Sequence, residues 1–225
     1  MIVCLVTDRR RLAGADAPTE DARPCLLAQA RYAAAAGVDI LHVRERDLEA
    51  AALASLVSDV LAITRGTPTR VVVNDRLDVA LACGADGVHL RGDSISPAAA
   101  RRLAPTGFLI GRSVHRVDDL AAAAGADYVI AGTVFASASK PNASTVLGVE
   151  GLRAIVRAAS VPVVAIGGVT AGCIESIASA GAAGIAAIGL FIDEGRRSQP
   201  RCRAIAIDAT VADLRQRFDS VQARP

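Results

Sequence analysis

The sequence has no tryptophan, and aromatic residues make up only 3% of its 225 positions. A core built without large rings must be filled by small aliphatic side chains. Much of the 52% hydrophobic content is alanine and valine, which suits helices packed closely on a buried parallel sheet. No long run of one charge sign appears: 25 basic residues stand against 23 acidic ones, for a net charge of +2. That balance excludes a surface that tracks a nucleic-acid backbone. The five cysteines, Cys4, Cys25, Cys83, Cys173 and Cys202, are scattered and lack CxxC or Cys/His zinc spacing, so they read as small core residues in a reducing compartment. No stretch approaches the roughly 18 apolar residues of a membrane span, and the apolar run Ile2–Val6 is too short for a signal peptide. A cytoplasmic protein without a membrane or nucleic-acid partner is expected.

What the sequence does have is alternation. β-rich runs at Ile2–Thr7, Asp39–Val43, Arg70–Asn74, Gly87–Leu90, Phe108–Gly111, Asp127–Ala131, Pro162–Ile166 and Gly184–Ile188 are separated by alanine-rich helical stretches, the pattern of a parallel sheet with helical crossovers. Eight such units predict an α/β fold, a (β/α)8 TIM barrel in a single domain over 1–225. A recurring turn, Ala-Gly-Val-Asp at 36–39, Cys-Gly-Ala-Asp at 83–86, Ala-Gly-Ala-Asp at 124–127 and Ala-Gly-Ala-Ala at 180–183, puts glycine where each helix must stop before the next strand. An open doubly wound sheet could share this rhythm, but no GxGxxG follows the first strand. A C-terminal helix is expected at about 200–219, with Leu214 and Phe218 spaced to dock one apolar face.

In such barrels the loops after the strands build the active site. Polar residues concentrate there. Strand alternation places His42, Arg44 and Arg46 on one face, and paired guanidiniums suit phosphate oxygens unless Glu45 and its neighbours absorb them in a salt-bridge network. Asp75 and Asp93 follow successive strands, with Asn74 beside them; they could share a magnesium ion, which takes one or two carboxylates together with substrate phosphates. Taken alone, Asp75 reads sooner as the cap of the helix Leu77–Cys83 than as a metal ligand. The long loop 135–148 carries Ser137, Ser139 and Lys140, suited to clasping diphosphate oxygens. Gly167 and Gly168 end the seventh strand, and Ile188 and Gly189 the eighth, where exposed backbone N–H groups at a helix start hold phosphate in this fold. Ser113 and His115 follow the fifth strand, and His115 is a candidate for moving a proton. The residues thus point to an enzyme that joins or rearranges small phosphorylated molecules.

The runs Val43–Asp47, Val73–Arg76, Ala85–Leu90, Gly111–His115, Asp127–Val129, Thr133–Lys140 and Val164–Gly168, in order between residue 2 and about 191, resemble thiamine phosphate synthase and its relative thiazole tautomerase. The resemblance implies coupling of hydroxymethylpyrimidine diphosphate to thiazole phosphate, with magnesium and release of pyrophosphate. It implies that Arg44, Arg46 and Lys140 stabilise the departing diphosphate and that Asp75 and Asp93 hold magnesium. Asn74 then contacts the diphosphate substrate, Ser113 lies near the pyrimidine, and Ser137, Ser139, Gly167 and Gly168 bind the thiazole side. The chain departs from the synthase pattern at His42 (usually Gln), Arg46 (Lys), Ser137 (Thr) and Gly189 (Ser). His42–Arg46 and Gly111–His115 look more like the tautomerase, which moves a proton on carboxythiazole phosphate with a histidine at the position of His115. Retention of both Asp75 and Asp93 favours the synthase, since metal-free proton transfer has no use for them. A non-catalytic barrel that only binds thiazole phosphate is the remaining alternative.

Overall fold

The computed structural model describes residues 1–14, 19–136, 146–193 and 202–222. Among these, eight parallel strands close into a barrel in sequence order, β1 (Ile2–Val6), β2 (Ile40–Val43), β3 (Arg70–Asn74), β4 (Gly87–Leu90), β5 (Leu109–Val114), β6 (Tyr128–Gly132), β7 (Val163–Ile166) and β8 (Gly184–Ala187), with β8 pairing back onto β1. Around them run α1 (Arg9–Ala13), α2 (Thr19–Ala35), α3 (Ala50–Thr64), α4 (Leu77–Cys83), α5 (Pro97–Leu103), α6 (Gly148–Ala158), α7 (Ile174–Ser179) and α8 (Asp208–Gln222), with a 3-10 segment at Val117–Ala123 between β5 and β6. The expected barrel and all eight strands are present, each within three residues of its predicted ends.

The strands are buried on both faces, hence their continuous apolar reading. One face packs on the helices. The other forms a separate inner core of Cys4, Val6, Ile40, Val72, Tyr128, Ile130, Val164 and Ala186. The recurring Gly-Ala-Asp turn stitches the amino ends of the strands together. Asp39, Asp86 and Asp127 each accept, through Oδ2, the backbone N–H of a residue on the preceding strand: Val3 at 2.8 Å, Val71 at 2.7 Å and Ile110 at 2.7 Å. Each carboxylate thereby satisfies a strand-end donor that the ladder leaves over, so these aspartates serve stability at the end opposite the site.

The C-terminal helix begins later than expected. Residues 202–207 are not helical because they are already paired: Ala204 bridges Ile192 antiparallel, and the Arg203 N–H donates to the Leu12 carbonyl. From Asp208 the expected face docks, with Val211, Leu214 and Phe218 buried, and Arg215 ties it to the Gly37 carbonyl at 2.7 Å. No described helix is long and apolar enough to cross a membrane.

Candidate active site

A cavity of about 1030 Å³ opens at the carboxyl ends of the strands. Its charged wall is built by β1 to β4. The pairing of β1 with β2 brings Val6 opposite His42, and the chain beyond each strand turns into the rim. There the Glu45 carboxylate faces away from the cavity, accepting from the Thr7 hydroxyl at 2.6 Å and from Arg9 Nη1 at 2.9 Å. Arg9 in turn forks onto Asp47 with two contacts of 2.6 Å, which hold that carboxyl down to about 2. Burial pushes Glu45 up, against its bonds from Thr7 and Arg9. The salt-bridge network therefore exists, but it consumes Arg9 rather than Arg44 and Arg46. Those two guanidiniums line the cavity without an ion-pair partner among the described residues. Burial, then the Arg46 charge, weaken Arg44's hold on its proton, yet a guanidinium remains charged at neutral pH. A half-buried Arg44 beside an exposed Arg46, neither of them ion-paired among the described residues, is a binding surface for an anion.

Asp75 and Asp93 meet through Arg91. Arg91 Nη1 lies 3.6 Å from Asp75 Oδ2, and Nη2 donates to Asp93 Oδ2. Asp93 and Arg91 line the cavity; Asp75 does not, and sits behind Arg91. Asp75 is not the cap of α4, whose N-cap position is Arg76. Its backbone is left-handed, φ 60°, a conformation that Asp tolerates through local hydrogen bonding. Its Oδ1 accepts from the Ser94 hydroxyl. A cation thus already occupies the point on which both carboxylates converge, and that donor set fits magnesium, although no described cluster offers three or more metal-ligating side chains.

Below the cavity the barrel floor is polar where the inner core would otherwise be apolar. His42 and His89 are buried, their rings 4.8 Å apart, with Tyr128 5.7 Å from His89. Burial, then the Arg44 charge, push His42 down to about 3; the Asn74 side chain opposes this without reversing it. His89 is also lowered, by burial and then by His42 and Arg112. Gly111 makes this packing possible: a Cβ there would stand 2.3 Å from Tyr128 Cζ and 2.5 Å from His89 Nδ1. His89 Nε2 lies 2.9 Å from Ser113 Oγ, which faces the cavity. His115 lines the wall beyond β5, its Nδ1 bonded to the Gly132 carbonyl.

The opposite wall, β6 to β8, is backbone. Gly167 and Gly168 have φ of 97° and 63°, and a Cβ on either would collide with the chain after β6, at 2.5 Å from Thr133 Cγ2 and 2.5 Å from the Ala136 carbonyl. Both glycines line the cavity, as do Ile188 and Gly189. The helical chain after β7 starts only at Ala171, so the Gly-Gly pair is a turn ahead of the helix rather than its first residues.

The thiamine monophosphate synthase family model matches residues 6–191. The chain belongs to this family. It is 44% identical over 195 residues, 86% of each chain, to the thiamine-phosphate synthase of Methanoregula boonei. It is also 38% identical to a putative thiamine-phosphate synthase of Geobacter sulfurreducens, over 90% of this chain and 91% of that one. Among solved structures, thiamine phosphate pyrophosphorylase from Pyrococcus furiosus superposes with a TM-score of 0.77 at 29% identity, covering 98% of this chain and 96% of that one. A 3-hexulose-6-phosphate synthase, at 21% identity and TM-score 0.63, shares the fold.

Of the residues expected from the sequence, His42, Arg44, Arg46, Asn74, Asp93, Ser113, His115, Gly167, Gly168, Ile188 and Gly189 face one cavity, and Asp75 joins through Arg91. Ser137, Ser139 and Lys140 lie outside the described residues. Sequence reasoning missed Asp8 and Arg11, which line the rim after β1, and Thr133 and Thr170. It also missed Arg112, buried and donating to the Gly92 and Ile95 carbonyls at 2.8 Å each, which fixes the loop bearing Asp93. Asp8 and Arg11 were findable by applying the strand-end rule to β1; Arg112 stands in the strand-end run Gly111–His115, but its role depends on a loop folding back over it.

Proposed function

We propose that the chain is a magnesium-dependent thiamine phosphate synthase that condenses hydroxymethylpyrimidine diphosphate with thiazole phosphate. The observation that carries this reading is the pair of guanidiniums, Arg44 and Arg46, left without ion-pair partners on the cavity wall because Glu45 is spent on Arg9. In the proposed reaction the bond from the pyrimidine methylene carbon to the diphosphate oxygen breaks, and the diphosphate leaves with the electron pair. The thiazole nitrogen lone pair then forms the new C–N bond, giving thiamine phosphate and pyrophosphate. Arg44 and Arg46, with Lys140, take up the charge that develops on the leaving group, and preorganised charge of this kind is the main source of rate in many enzymes. Asn74 holds the diphosphate substrate and Ser113, oriented by His89, the pyrimidine. Gly167, Gly168, Ile188 and Gly189, with Ser137 and Ser139, form the thiazole phosphate side. Asp75 and Asp93 would hold magnesium, which when bound supplies further positive charge to diphosphate oxygens. All five cysteines are thiols, in keeping with a cytoplasmic enzyme, and its partners are these small phosphorylated substrates.

The test is to supply purified protein with both substrates and magnesium and to follow thiamine phosphate. Absence of product sinks the reading. Asp93→Ala is expected to lower coupling about a hundredfold or more. One observation favours a second reading, thiazole tautomerisation. Because a carbonyl can only accept, His115 donates to Gly132 from Nδ1, so that Nε2 is the ring atom left to exchange a proton with a molecule in the cavity. Carboxythiazole phosphate consumption that survives Asp93→Ala but not His115→Ala would select it.

A further inference from the structure

The carboxylate pair assigned above to magnesium is not open. Arg91, the first residue after β4, places its guanidinium between the two acids, Nη1 at 3.6 Å from Asp75 Oδ2 and Nη2 hydrogen-bonded to Asp93 Oδ2. The remaining oxygen of Asp75 is engaged by the Ser94 hydroxyl. Arg91 thus stands on one oxygen of each carboxylate, Asp75 Oδ2 and Asp93 Oδ2, at the point between the two acids. Two cations cannot share that point, since like charges at contact distance repel strongly in a partly buried site.

Arg91 also lines the same cavity as Arg44 and Arg46, and its charge is felt at Arg44. A displaced Arg91 side chain would thus find an alternative partner close by: a diphosphate already attracting two guanidiniums, matched by the planar fork of a third.

We infer that Arg91 is an internal counter-cation, competing with magnesium for Asp75 and Asp93 and passing to the diphosphate when the metal enters. This rests on the metal site proposed above. The consequence is linkage: diphosphate, by drawing Arg91 off the carboxylates, favours magnesium, and magnesium, by releasing Arg91, favours diphosphate to the same extent. Magnesium alone should bind weakly.

The experiment is calorimetric titration of the full chain with magnesium chloride alone, and separately with inorganic pyrophosphate alone, for wild type, Arg91→Met and Arg91→Lys. With the competing charge removed, Arg91→Met is expected to bind magnesium about tenfold tighter than wild type, and metal-free pyrophosphate more weakly. A purely structural arginine gives the opposite sign, because loss of loop order would weaken the metal. Equal or weaker magnesium binding by Arg91→Met overturns the inference. Should that variant fail to fold, Arg91→Lys decides: a lysine keeps the charge but cannot fork across both acids, so magnesium is expected to tighten by about two- to threefold, and no tightening overturns the inference. If these titrations fail while wild type still makes thiamine phosphate with magnesium, only the role of Arg91 falls. If no variant binds magnesium, the inference falls together with the metal-dependent reading.

Discussion

The two walls of the cavity are built from different groups. From β1 to β4 the wall is side-chain charge, Arg44, Arg46, Arg91 and Asp93 standing on the rim; from β6 to β8 it is glycine and main chain, Gly167, Gly168 and Gly189. A side-chain wall can be adjusted one charge at a time and, under the proposed coupling, should govern rate, because it would meet charge that appears only as the leaving group departs. A backbone wall is fixed by the fold and should govern how the second substrate is seated. The sharpest way to break this contrast is Arg44→Met. We expect kcat to fall by about 10² to 10³ with little change in stability, and Arg44→Lys to recover only part of the loss. Steady-state kinetics in both substrates checks it; a change confined to KM for thiazole phosphate would place Arg44 on the wrong wall.

The matching test on the backbone wall is Gly168→Ala. Its Cβ would meet the Ala136 and Phe135 carbonyls at 2.5 and 2.6 Å, at a φ of 63° that L side chains rarely adopt. The cost is expected at about 1–3 kcal/mol of folding stability, read from urea midpoints, together with a raised KM for thiazole phosphate and a nearly unchanged KM for the pyrimidine diphosphate.

How far each wall was legible follows from the same difference. The barrel itself was readable because parallel strands buried on both faces leave long apolar runs, and the Gly-Ala-Asp turns separate one unit from the next. On the charged wall, residue type marks the candidates: that Arg44, Asn74 and Asp93 line the cavity could be expected from strand ends alone. What could not be read was pairing. That Glu45 serves Thr7 and Arg9, or that Arg91 reaches back to Asp75, depends on residues 16 to 38 positions apart meeting in space. On the backbone wall a glycine pair is a weak signal until the chain that lies against it is known. The late start of α8 has the same origin, since residues 202–207 are held by Leu12 and Ile192 rather than by local preference.

Arg112 offers a smaller effect that sharpens the comparison within the charged wall. Its guanidinium holds the carbonyls of Gly92 and Ile95, so Arg112→Met is expected to loosen the loop bearing Asp93 and to weaken magnesium about tenfold. The sign is opposite to that expected for Arg91→Met. Magnesium activation curves and direct titration check it, and unaltered metal binding would show that the loop holds Asp93 without Arg112.

The smallest effect concerns pH. His42 and His89, the two histidines whose pKa values are lowered, lie on β2 and β4, on the charged side of the barrel. His42, at about 3 in the folded chain, lies far below the ordinary histidine value because of burial and Arg44, and His89 is shifted the same way. A folded pKa below the unfolded one means that the unfolded chain binds the proton first. The stability associated with a neutral His42 ring is therefore complete above about 6.5 and declines as pH falls from there toward about 3, at roughly 1.4 kcal/mol per pH unit, and His89 acts in the same direction. His42→Gln keeps a polar side chain of similar reach and removes one titration. Unfolding free energy measured from pH 7.5 to 5 should then fall less steeply by the contribution of one proton, about 1 kcal/mol over the lower part of that range. An unchanged slope would mean that His42 binds its proton alike in the folded and unfolded chains, and that burial and Arg44 do not hold its ring neutral.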